Sequence, residues 1–140
     1  MVPLMTGPRS GALAVVSLLA LSACASTSTD PIALPSKDAA PAVVLGAYLR
    51  APKTGDCTAA HALATSTFTF GNGELCGHLN VKSYSPVGDP ATPGDQAIFS
   101  TNLITEGGDA SMPDGLHTWF YALVRQPDGA WRLVGGGSGP

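Results

Sequence analysis

Apolar positions along this chain first form an unbroken block, then recur at helical spacing, and from Asn80 onward alternate. Gly11 to Ala23 is a run of thirteen residues without a charge. From Ala25 to Leu34, Ser and Thr and then Pro erase any periodicity, which is the composition of a flexible linker. Pro41, Val44, Leu45, Tyr48 and Leu49 then fall on one stripe at helical spacing. The stripe predicts a helix from about Asp38 to Arg50. Asp38 would cap its first turn, and Pro41 is tolerated there because its missing N–H has no intrahelical partner. Pro52 and Gly55 should end it. A second helix is expected from Cys57 to about Thr65, with Asp56 as its cap and Ala60, Leu63 and Ala64 inward. Phe68 and Phe70 lead to the turn Gly71-Asn72-Gly73. Glu74 to Gly77 has room for one helical turn, and it presents Cys76 to the start of the second helix.

Beyond Asn80 the period is two. Val81 to Val87 reads as a strand, with Pro86 confining its end to an edge or a bulge. Asp89 to Gly94 is a turn cluster, and Gln96 to Thr105 is the next strand. A loop from Glu106 to Gly115 leads to Leu116–Arg125, the strongest strand pattern in the chain. Pro127-Asp128-Gly129 makes a tight hairpin turn into a last strand, Ala130 to Val134, and Gly135 to Pro140 reads as a fraying tail. Helices followed by a run of antiparallel strands predict an α+β domain of about four strands.

The strand at 116–125 has two apolar faces. His117, Trp119, Tyr121 and Leu123 share one, and Leu116, Thr118, Phe120, Ala122 and Val124 the other. A half-exposed sheet needs only one. One face should cover the helices, and the other calls for a ligand, a partner protein or a second copy of the chain. The face bearing Trp119 and Tyr121 is the candidate contact surface.

Composition narrows the function classes. The chain has 7 basic and 10 acidic residues, and charged residues make up 12% of it, about half the usual share. The charges form no run, so there is no basic patch for nucleic acid. The thirteen-residue block is too short to span a membrane, which takes about 20 residues. Preceded by Arg9 and followed by small residues, it has the layout of a secretory signal peptide.

That block ends in Leu21-Ser22-Ala23-Cys24, which resembles the bacterial lipobox, Leu-(Ala/Ser/Thr)-(Gly/Ala)-Cys. The resemblance implies that residues 1–23 are a lipoprotein signal peptide and that Cys24 carries the lipid. Residues 24–37 would then tether residues 38–136 to the extracytoplasmic side of the cell membrane, with 137–140 as a tail. Two acyl chains suffice for stable anchoring. The alternative is a short core helix with an incidental cysteine. Of the three cysteines, assigning Cys24 to the lipid leaves Cys57 and Cys76 as an even pair in an oxidising compartment, and these are expected to be bonded. The alternative is two free buried thiols. No CxxC spacing is present, so no metal site is expected.

Over residues 38–136 the element order resembles small actinobacterial lipoproteins of the NTF2-like (cystatin-like, SnoaL-like) superfamily. The likeness rests on residues 42–49, Gly55-Asp56-Cys57, Leu75-Cys76, and the closing Asp114-Gly115, Trp119-Phe120-Tyr121, Trp131-Arg132-Leu133 and Gly137-Ser138-Gly139-Pro140. It implies a cone in which N-terminal helices lie in the concave side of a curved antiparallel sheet. The superfamily includes isomerases, cyclases and dehydratases as well as members without activity, so the likeness constrains shape more than function.

Enzymes of that kind place a carboxylate base and a polar donor in an apolar pocket. Asp89, Asp95, Asp109, Asp114 and Asp128 instead sit beside Gly or Pro in turns, where a carboxylate bonds its own backbone. Asp38 and Asp56 look like caps, Asp30 lies in the linker, Glu74 follows Gly73, and Glu106 ends a strand. His117 reads as a hydrogen-bonded histidine in an aromatic layer, and His61 as an exposed helix residue. A Cys–His nucleophile pair would need a free thiol. Ser138 follows no strand-to-helix elbow, and Gly135-Gly136-Gly137 opens no helix that could cradle a phosphate. No catalytic residue and no cofactor is expected. The sequence points to a lipid-anchored, non-catalytic binding or assembly domain. Its alternative is an isomerase- or cyclase-type enzyme using Tyr48, His117 or Tyr121 in a cone pocket.

Overall fold

The computed structural model describes residues 30–139. The expected signal peptide, the lipid-bearing Cys24 and the start of the tether lie outside the described residues. Two helices, α1 (Pro41–Thr54) and α2 (Cys57–Ala62), and a 3-10 turn (Phe70–Asn72) precede four strands: β1 (Asn80–Ala91), β2 (Gln96–Glu106), β3 (Gly115–Arg125) and β4 (Trp131–Gly137). The strands form one antiparallel meander in the order β1-β2-β3-β4. The fold is α+β.

Helix α1 starts after Ala40, which offers no side-chain cap, so Asp38 does not cap it. Its stripe buries Val44, Leu45, Tyr48 and Leu49. The helix runs through Pro52 rather than stopping before it. That proline is in the last turn, and Gly55 closes the helix at φ 80, a left-handed conformation that glycine adopts without penalty. Asp56 caps α2 by accepting from the Ala59 amide at 3.1 Å. Helix α2 stops at Ala62, short of the expected Thr65, because the backbone beyond it pairs with β4. Leu133 N–H donates to Leu63 O at 3.0 Å and Thr65 N–H to Leu133 O at 2.9 Å.

Cys57 and Cys76 form a disulfide with a Cα–Cα distance of 5.5 Å. It ties the start of α2 to the segment that enters the sheet.

Strand β2 buries every second residue, from Ala97 through Phe99, Thr101 and Leu103 to Thr105. On β3 the buried partners are Tyr121 and Leu123, and on β4 Leu133. Strand β1 holds the sheet edge and runs through Asp89 and Pro90, which the sequence places in a turn. An irregularity between Val81 and Ser83 moves its inward positions from Val81 to Tyr84, so strict alternation fails there. One side of the sheet and α1 enclose the core. Tyr48 from α1, Phe68 and Tyr121 meet edge-to-face there, with ring centroids 5.5–6.5 Å apart.

The glycines after Val134 are strand, not tail. Gly135, Gly136 and Gly137 pair with Ala122, Tyr121 and Phe120. They are glycine because the turn at Asn72-Gly73 lies directly against them, with Asn72 Nδ2 donating to Val134 O at 2.8 Å. Gly73 has φ 90, and a Cβ there would run into the Gly136 carbonyl. Gly73→Ala should therefore cost about 1–3 kcal/mol from the backbone conformation, with the clash added. Urea unfolding checks this, and an unchanged midpoint would contradict the close approach.

Candidate functional site

The residues expected to form a pocket or contact surface do not share one environment. Tyr48 and Tyr121 are both 0% exposed and lie in the aromatic core, so they offer nothing to a partner. The face carrying Tyr121 is the one α1 covers. The open face is the other, where Leu116 is 67% exposed and Ile104 and Val87 are also exposed. His117 is held by the loop before β3, through a hydrogen bond between Nε2 and the Pro113 carbonyl. It lines neither of the two cavities described below. Trp119 is partly buried at the margin of the core, with an indole Nε1 that has no hydrogen-bond partner.

Trp119 instead helps to wall a groove of about 470 Å³ at one end of the sheet. One side is the segment around Phe70, Leu75 and His78, held by the disulfide and by the approach of Gly73 to Gly136. The other side is the β2–β3 loop. Its shape is set by two carboxylates that bond the local backbone. Asp114 Oδ1 accepts from the Gly107 amide at 2.7 Å, and Asp109 Oδ1 accepts from the Ser111 amide at 2.8 Å. Met112 is buried and anchors the loop to the core. The Ser111 hydroxyl, and after it the Ser111 and Met112 amides, hold the Asp109 carboxyl below its ordinary value, so it is charged at neutral pH. The groove thus has aromatic and aliphatic walls, a floor of glycine backbone at Gly107, Gly108, Gly136 and Gly137, and an anionic, hydroxyl-bearing rim at Asp109 and Ser111.

A second cavity, of about 520 Å³, lies on the other side of Phe70 and His78. These two rings stack with centroids 4.0 Å apart and form the wall common to both cavities. The second cavity reaches Glu74, a carboxylate only 3% exposed. Glu74 Oε1 accepts from the Cys76 amide at 2.6 Å and from the Tyr48 hydroxyl at 3.4 Å. Burial, with Tyr121 and Glu74 nearby, holds the Tyr48 phenol far above its ordinary value; burial and then Glu74 do the same for Tyr121. Both phenols are neutral throughout the physiological range.

Glu74, Phe70 and His78 were not singled out by the sequence. Glu74 follows a turn glycine, a position that normally means exposure. The signal was its neighbour: two residues later Cys76 bonds Cys57 at the start of α2, and the Cys76 amide donates to Glu74 Oε1. Among the described residues, no group of three or more His, Cys, Asp or Glu could hold a metal ion, and no helix is long and apolar enough to cross a membrane. Comparison with family models, with curated proteins and with solved structures finds no match.

Proposed function

We propose that this chain is a lipid-anchored extracytoplasmic protein whose single domain, NTF2-like in shape, is a non-catalytic module that binds a small ligand in the Trp119 groove. The observation that carries the binding reading is the groove itself. Its volume of about 470 Å³ falls in the range of small-molecule sites, and apolar rings face a few fixed polar groups. The flat face of a ligand would lie against Trp119 and Phe70, and its hydrogen-bonding edge would meet Asp109, Ser111 and the glycine backbone. The anchor reading is supported by Leu21-Ser22-Ala23-Cys24 directly after a charge-free run. The membrane, reached through Cys24, is then the constant partner.

The isomerase or cyclase alternative finds less support. It would need space around Tyr48 or Tyr121, and Phe68 and α1 fill that space. His117 is turned toward Pro113.

The groove is tested by ligand-observed NMR with a library of small amphipathic fragments against the wild-type chain and the Trp119→Phe and Ser111→Ala variants. Fragments whose binding weakens about tenfold in either variant are expected, which corresponds to roughly 1.4 kcal/mol. A library in which no fragment depends on either residue would remove the groove from consideration. Incorporation of a fatty-acid probe by the wild type, and its loss in Cys24→Ser, is the expected result for the anchor.

A further inference from the structure

The groove leaves Glu74 unused, and this carboxylate is unusual in its surroundings. Burying an anion costs several kcal/mol unless a cation or a full set of hydrogen bonds compensates it. Here Oε1 is provided for by the Cys76 amide and, at 3.4 Å, by the Tyr48 hydroxyl. Oε2 has no hydrogen-bond partner among the described residues and is not sealed within the protein. The one ion pair among the described residues joins Lys82 to Glu106, so no protein cation serves Glu74. Glu74 is part of the lining of a cavity of about 520 Å³ walled by Phe68 and Phe70, with Thr65, Ser66 and Thr69 beside it.

We propose that this cavity binds a compact organic ammonium, whose N–H donates to Glu74 Oε2 while its apolar body lies along Phe70 and Phe68. An ammonium supplies the charge and the donor that Oε2 lacks, and a cation over an aromatic face gains further attraction. An inorganic cation fits less well. Calcium takes six to eight oxygen ligands, and the cavity offers one carboxylate. The site is separate from the groove, although Phe70 and His78 wall both.

Titration of the full chain with benzylammonium, benzyl alcohol serving as its neutral counterpart, tests this by two-dimensional NMR. Benzylammonium should shift the Thr69, Phe70 and His78 signals and bind at least tenfold more tightly than the alcohol. Glu74→Gln, which keeps an oxygen to accept from Cys76 N–H, should erase that preference. Phe70→Ala, at a side chain 55% exposed, should weaken benzylammonium several-fold, and Trp119→Phe, which alters the groove alone, should leave it unchanged; this pair decides the matter if the Gln variant does not fold. Equal affinity for ammonium and alcohol, unchanged affinity in folded Glu74→Gln or Phe70→Ala, weakened affinity in Trp119→Phe, or no shifts at those residues would overturn the proposal.

Discussion

Tyr121→Ala should destabilise the domain by about 3–5 kcal/mol, the range for deleting a large buried aromatic side chain. For a domain of this size that lowers the thermal midpoint by on the order of 15–30 °C. The effect is large because Tyr121 is fully buried and touches both Phe68 and Tyr48 edge-to-face, so its loss leaves a cavity where α1 meets the sheet. Tyr121→Phe should behave oppositely. The hydroxyl is buried without a hydrogen-bond partner, so removing it relieves a desolvation penalty and leaves stability unchanged or about 1 kcal/mol higher. Thermal and urea unfolding of the two variants side by side separate ring from hydroxyl. A Phe variant that loses more than about 1 kcal/mol would mean that the hydroxyl is engaged and the core is not sealed.

Replacing both Cys57 and Cys76 by Ser should cost about 3 kcal/mol in the chain-entropy account, for a loop closed across a separation of 19 residues. The thermal midpoint should fall by on the order of 10–20 °C. The loss should be uneven in space. Glu74, Leu75 and Cys76 are all buried and lie beside the bond, so both cavities should lose definition before the sheet does. Hydrogen exchange resolves this: amides around 73–79 should lose protection well ahead of β2 and β3. Uniform loss across the domain would mean that the bond acts on the unfolded chain alone and holds no local structure.

The helical stripe of Pro41, Val44, Leu45, Tyr48 and Leu49 identified α1, and alternation identified β2 and β3, because both patterns come from one element facing one core. The bond between Cys57 and Cys76 was expected from the cysteine count once Cys24 is assigned to the proposed lipid. Boundaries were less legible. Pro52 sits in the last turn of α1, where Gly55 rather than the proline decides the end. Gly135–Gly137 read as a tail because a glycine run carries no alternation, and only the approach of Gly73 gives those residues a reason to be glycine in a strand.

The candidate site was harder to read than the fold. Period two divides β3 into His117, Trp119, Tyr121 and Leu123 against Leu116, Phe120, Ala122 and Val124, but it does not say which set α1 covers. Either face is apolar enough to be the inner one. The choice is made by shape, since the Tyr48 and Phe68 rings meet Tyr121 and leave Leu116 in solvent. Glu74 lies buried between Tyr48 of α1 and the disulfide-bonded Cys76, and the Trp119 groove depends on a loop that Met112 pins from a different strand connection.

The sequence by itself determined the order of elements and the α+β class, because these depend on spacing within short stretches, and it pointed to the cysteine pairing by count. Which sheet face is closed, how a carboxylate comes to lie buried, and where the two cavities open were decided only by the tertiary structure. Those features arise where residues far apart in the chain meet, and no local period records such a meeting.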